Sequence, residues 1–387
     1  MFLPNKNKPF YYSLAYLRYT HYYPSPESLK NIKCYRAVSA IIRILTCFVF
    51  VQCAIHYVMS RKDNVPVDLS EDIVGMTGLA YIMFFCILYE VNVKKWSKLY
   101  SDVSNTSKFG CPPNIPDVVR SCKNLLIFIY VYCFIGMAAY VLASVFLDSV
   151  NCRKVNEEKG LHEICGTATP LWWPYNEMDP RVKFFIIVYQ FCSIAMYFPS
   201  GATMLFMAWE CALIIALKID HLKGLFRNMF DVEDATVQRR RLKFCIQYHQ
   251  EIIRMTNELN RLHRMHFGQV SVVSPFILSC IGFQLVKRYS VGALIHIVGY
   301  GSAIFLVCQI GQTVQDETYN IREAVYVSKW YAIDPKIGKD VKFVLMRCQK
   351  PIYMNAIPLG VFSYSLLITI VKTAYSYLTL MYNNNSL

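Results

Sequence analysis

Residues 124–147 read NLLIFIYVYCFIGMAAYVLASVFL, a run without one formal charge. At ~1.5 Å per residue a helix of this length crosses the ~30 Å hydrocarbon core of a bilayer, where backbone groups must satisfy one another. Comparable stretches recur on either side, at roughly 37–59, 72–91, 183–217, 267–286, 290–311 and 356–382, which makes seven in all. The expectation is an all-α membrane protein with seven transmembrane helices. Its 387 residues are 55% hydrophobic and only 17% charged, with no Gly/Ser/Pro-rich linker, so one polytopic domain is expected and not several soluble ones.

The segments between the spans alternate in charge. Roughly 29 of the 40 Lys and Arg residues fall in the N-terminal arm and in the second, fourth and sixth connections, against roughly 8 in the other connections and the tail. Basic connections stay cytoplasmic, so the N-terminus is expected in the cytosol and the C-terminus outside, opposite to a G-protein-coupled receptor. The net charge of +14 then faces anionic lipid, and nucleic acid is not needed as a partner. The arm carries Lys6, Lys8, Arg18, Lys30, Lys33 and Arg36 without the pattern of a secretory signal peptide, so the first span is expected to direct insertion. Arg43, just inside that span, is expected to snorkel toward the cytoplasmic interface.

The organisation expected is an arm over 1–36, four spans over 37–217, a cytoplasmic helical extension over 218–266, two spans over 267–311, further cytoplasmic helices over 312–355, and a last span with a short tail over 356–387. The Tyr-rich arm, interrupted by Pro24 and Pro26, is expected to lie along the inner membrane surface. The extension carries Leu242, Cys245, Ile246, His249, Ile252, Ile253, Met255, Leu259 and Leu262 at intervals of three and four, an apolar stripe that needs partner helices or a membrane surface. Of the cysteines, only Cys152 and Cys165 fall in a connection assigned to the outside, which makes them candidates for a disulfide. The same connection holds Trp172 and Trp173, which either anchor in the headgroup layer or pack on helix ends.

No catalytic constellation is present in the sequence, and nothing calls for a cofactor. His263 and His266 lack the Glu of an HExxH helix, and no cysteine pair has zinc-ligand spacing, so no metal is expected. Glu90 and Glu210 fall near the cytoplasmic ends of their spans, where hydration accounts for them. The last span is different: Ser365, Thr369, Thr373 and Ser376 place hydroxyls on one face, continued by Thr379 or Leu380, with Lys372 midway. Such a face either packs by interhelical hydrogen bonds or lines a water-filled path, and the ammonium favours the water. A second candidate site is a cavity in the outer half of the bundle. Its candidate walls are Met76, Ala80 and Tyr81, then Cys133, Gly136, Met137 and Tyr140, then Tyr189, Ser193, Met196 and Tyr197, a mixture suited to a small, mostly apolar ligand or to ordinary helix packing.

The last third carries Ala324, Tyr326, Trp330 and Tyr331, then Met346, Arg347, Gln349, Lys350 and Pro351, then Pro358, and finally Ala374 to Leu380 as AYSYLTL. With these residues the chain resembles the insect odorant receptor family. The resemblance implies an odorant-gated, non-selective cation channel in the plasma membrane of a sensory dendrite, assembled as a hetero-tetramer with a shared co-receptor subunit. It implies that Tyr326, Trp330, Tyr331 and His249 belong to the anchor between subunits. The last helix would line the pore, with Thr369, Thr373, Ser376 and Tyr377 on its pore side and Leu380 as outer gate. The chain lacks the long fourth-connection insertion of the co-receptor, so it is expected to be a tuning subunit that binds a small volatile molecule. The rival classes are a metabotropic seven-helix receptor and a membrane transporter or enzyme; the charge topology weighs against the first, and the lack of intramembrane carboxylate pairs or an internal repeat against the second. Asn105 with Ser107 and Asn384 with Ser386 form glycosylation acceptor patterns that report on topology.

Overall fold

A computed structural model describes residues 1–6, 8–62, 70–160, 164–175, 178–288, 291–357 and 360–384. Pro358 and Ser386 lie outside them. The described chain is helical throughout: α1 (Tyr11–Tyr19), α2 (Pro26–Lys30), α3 (Ile32–Lys62), α4 (Ser70–Ser104), α5 (Ile115–Leu142), α6 (Ser149–Lys159), α7 (Pro180–Arg227), α8 (Ala235–Phe267), α9 (Val270–Arg288), α10 (Val291–Tyr326), α11 (Pro335–Cys348) and α12 (Tyr364–Asn384). A π-helical segment, Ala143–Asp148, joins α5 to α6, and one isolated bridge pairs Asn355 with Val361.

Local chemistry sets where the helices begin. Asp179 and Asp334 each stand before a proline, and each side chain accepts the backbone N–H two residues on, at 2.7 Å from Arg181 and 2.9 Å from Lys336. Proline at the first helical position loses an N–H that would have been orphaned anyway, while the aspartate satisfies the next. Asp234 caps α8 in the same way, at 2.7 Å from the Thr236 N–H. Within α7, helix continues through Pro199, and Thr203 returns its hydroxyl to the Pro199 carbonyl at 2.6 Å. At 48 residues this helix is ~72 Å long, so it outruns any bilayer.

Among the described residues six helices are long and apolar enough to cross a membrane: α3, α4, α5 with its continuation, α7, α9 and α10. The α12 helix is not one of the six, because Lys372 and its row of hydroxyls interrupt the apolar residues. Bulky apolar side chains such as Ile44, Phe128, Ile135 and Phe185 stand exposed around the outside, as lipid contact requires and water would penalise. The chain is a multi-pass membrane protein. The centre is α7, packed by α4, α5, α8 and α10. The end of the bundle that carries α8 and α11 is the anchor end, and the end that carries residues 164–171 is the lid end.

The N-terminal arm corrects the sequence expectation. It does not lie on a surface: Phe10, Leu14, Leu17, Tyr22 and Tyr23 are buried in the main core. The Phe10 ring packs 4.8 Å from Tyr100, and its N–H donates to Glu210 Oε1 at 2.9 Å. Glu210 is therefore held by the arm and not by water, being only 4% exposed. Arg43 does not snorkel either. It donates to Glu90 at 2.6 Å and to the His21 carbonyl at 3.1 Å, with its guanidinium 3.5 Å over the Tyr22 ring. Sequence alone treated these groups as isolated because their partners lie on segments far apart in the chain.

Candidate functional site

Toward the lid end the helices do not close on one another. Side chains of α4, α5, α7, α9 and α10 enclose a cavity of about 1550 Å³. Small residues keep it open and let its walls approach: a Cβ on Gly136 would meet Ile295 at 3.3 Å, and one on Gly299 would meet Tyr132 at 3.2 Å. Aromatic rings line the interior, with Tyr140 edge-on to His296 at 5.0 Å and Phe198 at 6.4 Å from the same imidazole. Charged groups gather at the outer end, where His56 and Asp72 pair at 2.9 Å and Lys154 and Glu158 line the rim.

The lid is held by covalent and polar ties. Cys152 on α6 is bonded to Cys165, with Cα atoms 5.6 Å apart, and Lys183 donates to the Cys165 carbonyl. Beneath them the buried Gln190 accepts the Ala168 N–H at 2.9 Å and the Thr169 N–H at 3.3 Å while donating to the Thr169 carbonyl at 3.3 Å. An amide that meets backbone groups on both its ends fixes the loop over the cavity mouth. Trp172 and Trp173 follow, both half-buried.

The last helix is covered on one side only. Ile370 and Ala374 are buried, and α12 packs chiefly on α9, where Gly282 lies opposite Leu378. Thr369, Lys372, Ser376, Tyr377 and Leu380 are exposed in the single chain, Leu380 to 60%, and Thr373 is half-buried. The hydroxyls do not idle: Thr369 and Thr373 each donate four residues back, at 2.9 Å, and Ser376 does so at 3.1 Å. They satisfy themselves on their own helix and still present oxygen outward, so the face is polar without a partner helix. Met381 of α12 lines the cavity, which joins the two sites through one side chain.

At the anchor end α8 packs against α7 and α4, and α11 against α10 and α8. Lys223 on α7 pairs with Glu317 on α10 at 2.9 Å, and Arg254 on α8 with Asp102 on α4 at 2.7 Å. Of the four residues assigned to the anchor, Tyr326 and Tyr331 are exposed, Tyr331 to 75%, and Trp330 is half-buried. His249 departs from that assignment: it is buried against Phe226 within the chain. Burial, with Arg347 nearby, pushes its imidazole down to about 4. The two other histidines of α8 also sit in packed surroundings. His266 bonds the Leu262 carbonyl at 2.7 Å, and His263 faces Phe362 at 4.8 Å; among the described residues no metal-binding cluster occurs.

A sequence model described as 7tm odorant receptor matches residues 69–375. The chain belongs to the odorant receptor family. Odorant receptor 47b of Drosophila melanogaster is 23% identical over 96% of this chain and 90% of its own length. Odorant receptor Or2 of Anopheles gambiae is 27% identical over 36% of this chain and 38% of its own length. The insect olfactory receptor OR5 from Machilis hrabei shares the fold, with a TM-score of 0.78 over 96% of each chain at 15% identity. Its complex with eugenol matches at a TM-score of 0.77 and 13% identity, over 96% of this chain and 97% of that one. The family is one of receptors, not enzymes.

In this odorant receptor, five of the eleven residues proposed from sequence line the cavity: Tyr81, Cys133, Gly136, Met137 and Tyr140. The other six, Met76, Ala80, Tyr189, Ser193, Met196 and Tyr197, do not. Ala80 is exposed on the outside of α4, and the Tyr189 hydroxyl donates to the Leu45 carbonyl on α3. Ser193 is buried off the cavity, and Tyr197 is buried with its hydroxyl 3.4 Å from the Arg43 carbonyl. On α7 the cavity takes instead Phe191, Ile194, Phe198 and Leu205, a face turned away from the Tyr and Ser row. The whole wall from α9 and α10, including Ser274, Gln284, His296 and Tyr300, was missed in sequence. A signal was present: His296, Tyr300 and Gln284 are polar interruptions near the lid ends of otherwise apolar helices.

Proposed function

We propose that this chain is the tuning subunit of an odorant-gated, non-selective cation channel. It binds a small, mostly apolar volatile molecule in the lid-end cavity and contributes α12 to a central pore. The observation that carries the reading is the juxtaposition of a cavity with a helix whose polar face none of the other described residues covers. Met381 belongs to both, and α9, which walls the cavity through Ile281 and Gln284, packs on α12 through Gly282. A ligand that presses on α9 and Met381 therefore acts on the pore helix one residue from Leu380, the proposed gate. For occupancy to open the gate, the ligand must bind the open state better than the closed; a ~100-fold preference shifts the equilibrium by ~2.7 kcal/mol.

The remaining parts of the reading follow from this arrangement and from the family. The Machilis hrabei receptor is solved with eugenol, a small aromatic molecule, which supports a ligand of similar class here. The N-terminus and anchor end lie in the cytosol and the lid outside, in the plasma membrane of a sensory dendrite, and exposed Tyr326 and Tyr331 meet the neighbouring subunits. Three further copies of α12, at least some from a co-receptor subunit, complete the tetrameric pore around Thr369, Thr373, Ser376 and Tyr377. The test is whole-cell current in cells that lack G-protein signalling and co-express the co-receptor, challenged with a panel of volatile molecules. Rapid ligand-evoked cation current is expected; a response that needs G-protein signalling would overturn the channel reading and leave a metabotropic receptor.

A further inference from the structure

Two of the polar atoms that line the cavity have nothing to bond. The Tyr81 hydroxyl on α4 and the Gln284 amide nitrogen on α9 are buried without a hydrogen-bond partner. His296 on α10 makes ring contacts with Tyr140 and Phe198. One helical turn deeper, Tyr300 has only a long contact, 3.5 Å, with Ser274, and its phenol is an electrostatic neighbour of Tyr81. All of these side chains line the same cavity. An unpaired buried hydroxyl costs about 1–3 kcal/mol, so a site that retains one is incomplete until something bonds it.

We infer that the ligand of this receptor is a neutral oxygenated molecule, an alcohol, ether, ketone or ester, whose oxygen accepts the Tyr81 hydroxyl proton while its apolar body lies along the aromatic wall toward His296. This deepens, and rests on, the reading of the cavity as the odorant site. Neutrality follows from the placement of charge. The carboxylates and lysines that line the cavity, Asp72, Asp148, Lys154, Glu158 and Lys287, sit toward the lid end, whereas Tyr81 lies nine residues beyond Asp72 on α4 and Tyr300 nine residues into α10 from its lid end. A charged ligand would lose its hydration there with nothing to replace it. A pure hydrocarbon fits the walls equally well but leaves the Tyr81 hydroxyl unpaired, which is how such a site discriminates. Tyr81 would then act as a specificity residue.

The test uses the full chain with its co-receptor and pairs of probes in which oxygen is replaced by carbon of the same shape: anisole with ethylbenzene, 2-octanone with 2-methyl-1-octene, and 1-octanol with nonane. In every pair that evokes current, the oxygenated member is expected to be about 10-fold more potent, the ratio that one buried hydrogen bond supports. Tyr81→Phe, which removes a single oxygen and keeps the ring, is expected to reduce the oxygenated member to the potency of its hydrocarbon partner without changing the hydrocarbon response. Surface labelling verifies that the variant is delivered. Equal potency within pairs, or an unchanged ratio in Tyr81→Phe, overturns the inference while leaving the cavity as an odorant site. If no pair evokes current although the channel is at the surface and answers a direct co-receptor agonist, the reading of the cavity itself fails.

Discussion

Gly311 on α10 is the position where one methyl group does the most damage. A Cβ built there would stand 2.1 Å from the Phe362 carbonyl oxygen, 2.6 Å from its Cβ and 2.8 Å from its carbonyl carbon. The first contact is about 1.3 Å short of the 3.4 Å at which ordinary van der Waals contact begins, and two of the three atoms are backbone, so no rotamer change relieves it. Gly311→Ala must push apart α10 and the segment that enters α12 two residues later. Overpacking of this kind costs ~1–3 kcal/mol, and here the displaced element is the proposed pore helix. Gly301, ten residues earlier on the same helix, has nothing within 4 Å of a built Cβ. Gly301→Ala carries the same chemistry into open space and gains ~0.5–1 kcal/mol of helix propensity. The assay is the thermal midpoint of the detergent-solubilised receptor, read by fluorescence-detected gel filtration, together with ligand-evoked current. Gly311→Ala is expected to lower the midpoint by several degrees and to abolish or greatly reduce the current, while Gly301→Ala leaves both near wild type. The reasoning is refuted if the two variants behave alike.

Arg43→Leu strips Glu90 of its partner and Tyr22 of its cation, so surface expression should fall more than in Glu90→Gln, where Arg43 keeps the His21 carbonyl; equal loss would mean that the ion pair alone matters. Replacing Cys152 and Cys165 together with Ser opens a short loop, worth up to ~3 kcal/mol of chain entropy, and should weaken ligand potency through the lid more than it reduces expression. His249, held at about 4 against an ordinary 6.5, binds fewer protons folded than unfolded. It is neutral in both states above pH 6.5, so stability is lost as pH falls from about 6.5 toward 4, by as much as ~3 kcal/mol. The thermal midpoint of the solubilised receptor should fall between pH 7.5 and 5, and less so in His249→Gln. Asn105, whose carbonyl accepts Lys218 Nζ at 2.6 Å, lies at the anchor end. Asn105→Gln should leave glycosidase-sensitive mobility unchanged, and a shift would move that end outside.

Membrane character, the all-α class, the extension of α7 beyond a bilayer's thickness and the starts of α7, α8 and α11 are legible along the chain, because each depends on neighbours in sequence: uninterrupted apolar runs, Asp caps, an apolar stripe at intervals of three and four. On α5, Cys133, Gly136, Met137 and Tyr140 line the cavity, and Gly136 and Tyr140 stand out in sequence on an otherwise apolar helix. On α7 the face bearing Tyr189, Ser193, Met196 and Tyr197 has the same mixed composition, yet the cavity takes the face with Phe191, Ile194 and Phe198. Periodicity tells which residues share a face and not which neighbour that face meets.

What the sequence determined by itself is thus local and one-dimensional: which segments are apolar enough to enter lipid, which connections are basic, and which family the last third resembles. The tertiary structure alone decided that Phe10, Leu14 and Leu17 plug the core, that Glu210 answers the Phe10 N–H, and that Met381 brings the pore helix to the ligand cavity. Each of these joins residues a hundred or more positions apart in at least one partner. Hydropathy fixes the medium a segment prefers, but only close packing selects the rotation and depth of one helix against another, and that choice decides which side chains face an empty space.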